Sequence, residues 1–242
     1  MRVQKNVSYA RDERCTMDIY EPEEGYTAAI LYFHGGGLTA GSRQDGENYV
    51  QSLCSRGYLV ALADYRMFPD AKEDDYLLDA ALATAFVLDY TRGAKVFVTG
   101  QSAGAYLTVM LAVNPVWLQK VGVDSCEIAG WFVDSAQMTT HYTVLSMRGM
   151  DSGLERIDTA APLYYVGKDL FFSRMYLLTY THDIMGRLEQ NQLFYRSVLK
   201  YNPSAQIGMQ VLEGGHCAAS AYKDGEYIFV SLISDFIKEK LF

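Results

Sequence analysis

The chain has 242 residues, half of them hydrophobic, and a formal net charge of −8 from 21 Lys+Arg against 29 Asp+Glu. That is enough apolar material for one sizeable core, and the acidic balance argues against nucleic acid as a partner, since holding phosphates needs clustered cations. No apolar run approaches the roughly 18 residues of a membrane span, and the stretch Met1 to Arg14 lacks the apolar segment of a signal peptide, so a cytoplasmic protein without a membrane partner is expected. Cys15, Cys54, Cys126 and Cys217 are scattered, with no C-x-x-C pair, and read as free thiols rather than a zinc site.

Extended and helical signals alternate along the chain. Lys5 to Ala10 and Cys15 to Tyr20 are close enough to pair as a hairpin, and Thr27 to Phe33 is a short apolar strand ending at His34-Gly35-Gly36-Gly37. Tyr49, Val50, Leu53 and Cys54 have helical spacing, with Gly57 placed as a C-cap glycine. Tyr58 to Ala63 is the next strand. Lys72 to Tyr90 reads as a helix with Leu78, Leu82 and Phe86 along one line and acidic residues in its first turn. Lys95 to Thr99 is a strand, Ala103 to Val113 a helix stopped by Asn114-Pro115, and Ile128 to Val133 a strand. Arg174 to Thr179 (strand), Ile184 to Tyr201 (helix), Gln206 to Leu212 (alternating, hence nearer a sheet edge) and Glu226 to Lys240 (helix, with Phe229, Ile233, Phe236 and Ile237 inward) complete the pattern.

Continuous apolar strands alternating with amphipathic helices imply a mostly parallel sheet with helices on both faces. With no repeat, linker or low-complexity tract, a single domain over 1–242 is expected. Such sheets bind ligands beyond the carboxyl ends of their strands, and the conspicuous segments fall there. His34 to Gly37 follows one strand, Gly100 to Gly104 another, Asp183 a third and His216 a fourth.

Gly100-Gln101-Ser102-Ala103-Gly104 raises a chemical question. A serine hydroxyl becomes a useful nucleophile only with a base in reach and an acid orienting that base. A tight strand-to-helix turn would push the Ser102 hydroxyl clear of the backbone, with glycine two residues to either side removing the side chains that would collide. The charge that develops on the substrate oxygen needs preorganised N–H donors, worth about 3 kcal/mol each. Ala103 could supply one, and Gly36 and Gly37 two more, because their bare backbone lets a carbonyl approach.

Taken in order, His34-Gly35-Gly36-Gly37, Gly100-Gln101-Ser102-Ala103-Gly104, Asp183 and Gly215-His216 resemble the α/β-hydrolase superfamily, on the esterase/lipase branch related to hormone-sensitive lipase and small carboxylesterases. Asp64-Tyr65-Arg66-Met67-Phe68-Pro69 and Gly41-Ser42 resemble further segments of that branch, and the likeness covers roughly residues 5 to 240. The resemblance implies Ser102 as nucleophile, His216 as general base and then acid, and Asp183 as the carboxylate that orients it. It also implies Gly36, Gly37 and Ala103 as the oxyanion hole, with His34 bracing the glycine loop. Asp134 is the rival acid, because it too follows a strand, and His182 and His141 are the other candidate bases. Leu38 stands where the branch often has an aromatic residue. His141, Tyr142, Tyr164 and Tyr165 are candidates to line the pocket, and Cys217 is a small residue packed under the last loop.

No cofactor or metal is expected. The insertion between two core strands, 135–170, leaves room only for a small lid, which suits short acyl esters such as acetylated sugars or aryl esters. Three other readings stand beside this one: an arylformamidase-like amidase, a prolyl-oligopeptidase-type peptidase and a non-catalytic ligand-binding module on the same fold. A small-molecule ester is the expected partner, alone or with a second copy of the chain in a homo-oligomer.

Overall fold

The computed structural model describes residues 1–241. An eight-stranded sheet runs in the order β1-β2-β4-β3-β5-β6-β7-β8. The strands are β1 (Arg2–Ser8), β2 (Thr16–Glu21), β3 (Ala28–Phe33), β4 (Tyr58–Ala63), β5 (Lys95–Gln101), β6 (Ile128–Asp134), β7 (Met175–His182) and β8 (Ile207–Gly215). The first two pair antiparallel, β2 joins β4 antiparallel, and every pair from β4 to β8 is parallel. The sheet is thus the mostly parallel one expected, with β8 at its edge.

Side-chain alternation places a separate core on each face. Ala29, Leu31 and Phe33 of β3 belong to one core, and Ala28, Ile30 and Tyr32 to the other. The first core is covered by α2 (Asp75–Thr91), α3 (Ala103–Val113), α4 (Val116–Lys120) and α6 (Arg187–Tyr201), the second by α1 (Glu47–Cys54) and α7 (Ile228–Ile237). A further short helix, α5 (Tyr142–Met147), lies in the long β6–β7 connection. Among the described residues no helix is long and apolar enough to cross a membrane.

Three details differ from the sequence reading. Leu78, Leu82 and Phe86 are only half-buried, and the deepest residues of α2 are Tyr76, Asp79, Ala80, Ala81, Ala83, Thr84 and Val87. Small side chains let this helix lie close against α3, so the larger ones flank the contact. Helix α6 starts at Arg187 rather than Ile184 because Gly186, at φ 81°, breaks the helical path. Glu226-Tyr227 does not open α7. It pairs with Tyr222-Lys223 in a small hairpin turned by Asp224-Gly225, both at positive φ.

The order β4-β3-β5 means that the chain reverses its direction of winding at β3. The crevice beyond the carboxyl ends of β3 and β5 is where an open sheet of this kind accepts a ligand. The glycine loop and the Ser102 turn both emerge there.

Candidate active site

Ser102 sits between β5 and α3 at φ 54° and ψ −113°, a conformation that a residue with a side chain adopts only under constraint. The constraint is visible on both sides. Its N–H donates to the Asp134 carbonyl at 2.9 Å, and its own carbonyl accepts the first helical bond, from Tyr106 N–H at 2.9 Å. A Cβ on Gly104 would run into the Phe33 carbonyl, and one on Gly100 into the Gly104 backbone. The two glycines therefore allow the turn to press against the end of β3.

His216 follows β8 and Asp183 follows β7, and the structure brings both to Ser102. His216 Nε2 lies 2.8 Å from Ser102 Oγ, and His216 Nδ1 lies 2.5 Å from Asp183 Oδ1. Asp183 also accepts the Ile184 N–H at 2.7 Å and the Ser135 hydroxyl. Burial pushes the Asp183 carboxyl up, but the hydrogen bonds from His216 and Ser135 outweigh it and hold the group below its usual value. An ionised Asp183 only accepts, so His216 Nδ1 carries the proton and Nε2 is free to accept from the Ser102 hydroxyl.

The glycine loop lies on the other side of Ser102, braced from below. The His34 ring is fully buried, stacks on Tyr65 at 4.4 Å and lies 2.7 Å from the Gly35 carbonyl through Nδ1; the Tyr65 hydroxyl donates to the His34 carbonyl at 2.9 Å. Burial lowers the His34 pKa, so this brace is a neutral imidazole. The Thr143 hydroxyl donates to the Gly37 carbonyl, and the Tyr142 hydroxyl fills the space that a Gly37 Cβ would need. Among the described residues none accepts a hydrogen bond from the N–H of Gly36, Gly37 or Ala103. Leu38 is fully buried, so it does not shape the mouth of the site.

Asp134 is placed elsewhere. It is fully buried and accepts from Gln101 Nε2 at 2.7 Å and from the Tyr180 hydroxyl at 2.8 Å. Gln101 Oε1 in turn accepts from Tyr32 at 2.9 Å and Tyr49 at 3.1 Å, while the Tyr180 oxygen accepts the Ala219 N–H at 3.0 Å. Burial raises the Asp134 carboxyl to about 6, against the opposing pull of Gln101 and Tyr180. The carboxylate thus sits in a polar network beneath the turn, tying the end of β5 to the loop after His216.

The remaining candidates separate. His182 is exposed. His141 is buried against Tyr106 and Tyr142, with ring centroids 5.0 and 4.4 Å away. Tyr165 bonds the Thr159 carbonyl and Asn114 beyond the far end of α3, and Tyr164 beside it is exposed, so neither joins the site. Cys217 takes φ 55°, and burial raises its thiol pKa well above the usual value. Ser135 was not singled out from the sequence: a serine just after a strand has no local mark, and its role appears only once β6 and β7 are neighbours.

The comparisons with known proteins agree with this architecture. Residues 17–120 match the family model described as BD-FAE. A probable isoprenylcysteine alpha-carbonyl methylesterase of Oryza sativa is 31% identical over 113 residues, 44% of this chain and 27% of that protein. A kynurenine formamidase of Scheffersomyces stipitis is 21% identical over 193 residues, 77% of this chain and 63% of that protein. A thermophilic esterase of Thermogutta terrifontis with propionate bound superposes with a TM-score of 0.77 at 20% identity, covering 98% of this chain and 93% of that one. The match to the plant methylesterases spans only about a quarter of their length. The fold is that of the α/β-hydrolases. Residues 17–120 are similar to the BD-FAE family model, and part of the chain to plant methylesterases and a Moraxella lipase.

Proposed function

We propose that the protein is a serine hydrolase of short-chain carboxylic esters, working through an acyl-enzyme on Ser102. The observation that carries this reading is the unbroken chain Ser102–His216–Asp183 beside three unbonded backbone N–H groups. Ser102 Oγ attacks the ester carbonyl while His216 Nε2 takes its proton. The carbonyl electron pair moves onto oxygen, where the N–H groups of Gly36, Gly37 and Ala103 receive it. Collapse expels the alcohol, which leaves with the proton from His216. A water, deprotonated by the same nitrogen, then attacks the acyl carbonyl and returns Ser102. Asp183 holds the ring in the required tautomer and stabilises the imidazolium.

The segment 135–170 acts in this reading as a small lid. Thr143 and Tyr142 bring it directly onto the glycine loop, leaving little length for an acyl tunnel. The names of the matched methylesterase and esterase favour the same chemistry. A cytoplasmic protein acting on small molecules is part of the proposal, favoured by four free cysteines and the acidic net charge of −8. A p-nitrophenyl ester series tests the reading. Acetate to butyrate should be cleaved faster than long-chain esters, and Ser102→Ala should lose a factor on the order of 10³ or more. Unchanged turnover in the variant would remove Ser102 as nucleophile.

A formamidase-like amidase is the second reading, favoured by the 77% of this chain that aligns with the yeast kynurenine formamidase. Turnover of N-formylkynurenine above that of p-nitrophenyl acetate would move the assignment there.

A further inference from the structure

Arg187, the first residue of α6, is 3% exposed, and among the described residues no carboxylate lies within ion-pair distance of it. Its Nη1 donates to the Ser135 carbonyl at 2.5 Å. Its Nε is sealed from solvent with no partner. Its Nη2 makes no hydrogen bond to the protein but is not sealed, so this nitrogen is the tip through which the side chain meets the outside. A guanidinium has five N–H groups, and holding one carbonyl does not need a charge. A buried cation with no carboxylate in contact is costly to keep.

The position of this cation is what gives it meaning. Ser135, whose carbonyl it holds, donates its hydroxyl to Asp183. The oxygens of Asp183 are engaged by His216, Ile184 and Ser135, and Asp183 makes no ion pair with Arg187. The arginine's charge is felt at Asp183, Cys217, Tyr142, Glu155 and His141, the two carboxylates acting from beyond ion-pair distance. Tyr142 is the residue whose hydroxyl packs on Gly37.

His141 has the same form as Arg187. It is 2% exposed, its Nδ1 accepts the Thr143 N–H at 3.2 Å, and its Nε2 is unbonded and not sealed. Accepting at Nδ1 puts the ring proton on Nε2, so this tip is a donor. The Tyr142 hydroxyl has no partner among the described residues and is also free to donate. Tyr142 packs on the glycine loop, His141 stacks on Tyr142, and Arg187 acts on both through its charge, so the three offer a guanidinium, an imidazole N–H and a phenol.

We infer that Arg187, with His141 and Tyr142, forms a subsite for a carboxylate carried by the substrate, so that the preferred esters are anionic. This rests on the serine-hydrolase reading for the reaction, but not for the binding. A substrate carboxylate would give the direct contact that Asp183 and Glu155 do not make, and charge-assisted bonds to a planar guanidinium are strong and directional. The protein's net charge of −8 makes the local cation necessary for such a ligand.

The test compares matched pairs of esters. 4-Nitrophenyl hemisuccinate against 4-nitrophenyl butyrate places the charge on the acyl side, and 4-carboxyphenyl acetate against phenyl acetate on the alcohol side. The quantity read is the charged-to-neutral ratio of kcat/KM, which cancels general losses of activity. In at least one pair, Arg187→Gln should lower that ratio by about tenfold to a hundredfold. Arg187→Lys should recover part of it, and His141→Phe, which keeps the ring packing, should lower it less. Should Arg187→Gln not fold, Arg187→Lys and His141→Phe carry the comparison. Ratios unchanged in both pairs, with Ser102-dependent turnover intact, overturn the subsite. If the wild type cleaves no ester, the serine-hydrolase reading fails separately. The subsite is then read from binding of free succinate and benzoate to wild type and variants by ligand-observed NMR. Binding weakened by Arg187→Gln, or by Arg187→Lys or His141→Phe should it not fold, supports the subsite, and equal or absent binding overturns it.

Discussion

The carboxylate beside His216 shows how much one residue's surroundings decide. Asp134 and Asp183 each stand at the carboxyl end of a strand, and the sequence resemblance favoured Asp183 with Asp134 as its rival. Asp134 is register partner to Gln101, and its side chain turns to the sheet face that carries Tyr32, Tyr49 and Tyr180. Asp183 stands one residue beyond β7, where the chain has left the sheet and can reach His216. Asp183→Asn should therefore cost kcat a factor on the order of 10⁴, as loss of the tautomer-holding carboxylate does in serine hydrolases. Asp134→Asn should stay within about tenfold of wild type, and p-nitrophenyl acetate kinetics on both variants decides. Ser102, Gly100 and Gly104 were legible not from their spacing alone but from their place between a strand and a helix, downstream of the glycine loop. Arg187 was not, since its meaning depends on Ser135 and Tyr142, far away in the chain.

At the scale of elements, the connection from β6 to β7 is held by one acidic hub. Asp158 accepts from Thr140 Oγ1 and Arg148 Nη1 at 2.8 Å each, Arg156 Nε at 2.7 Å and the Ala160 N–H at 3.0 Å. Arg148 also pairs with Glu73 just before α2, fastening the segment to the body. Burial pushes the Asp158 carboxyl up, but the hydrogen bonds from Ala160, Arg156 and Thr140 and the Arg148 charge prevail, holding it at about 2 against the usual 3.8. A depressed folded value means that the unfolded chain takes up the proton first, so its stabilisation is complete above about pH 4 and disappears as the pH falls toward 2. Hydrogen exchange should report this directly. Asp158→Asn should speed amide exchange across residues 139–161 at neutral pH while β5 and β6 stay protected, and the wild type should show the same local loosening on acidification. Equal protection in variant and wild type would remove the hub. The sequence located most elements around this segment to within a few residues. It did not show the face α2 buries, because packing against α3 selects small side chains over large ones. The Asp224-Gly225 turn, by contrast, did carry a readable hairpin signal, which the apolar pattern of the following helix masked.

For the molecule as a whole, two cores share one sheet, and Phe132 sits at the centre of the α1–α7 side. Its ring is fully buried, with centroids of Tyr176 and Phe229 at 5.8 and 5.5 Å. Phe132→Ala should cost about 3–5 kcal/mol of global stability, measured by denaturant unfolding, and the folded fraction should keep its specific activity, because the ring lies below the site. A comparable loss of activity in fully folded protein would mean that the lower core sets the geometry of the turn. Alternating apolar strands and helices were enough to determine a parallel sheet covered on both faces, since periodicity is a local property of the chain. The same holds for the carboxyl-end positions of Ser102, Asp183 and His216. Only the tertiary structure decided what holds the rival carboxylate Asp134, how the β6–β7 segment lies on the glycine loop, and that a buried arginine without a contacting carboxylate lies close by. Those three outcomes depend on contacts between residues remote in sequence, and no local pattern encodes them.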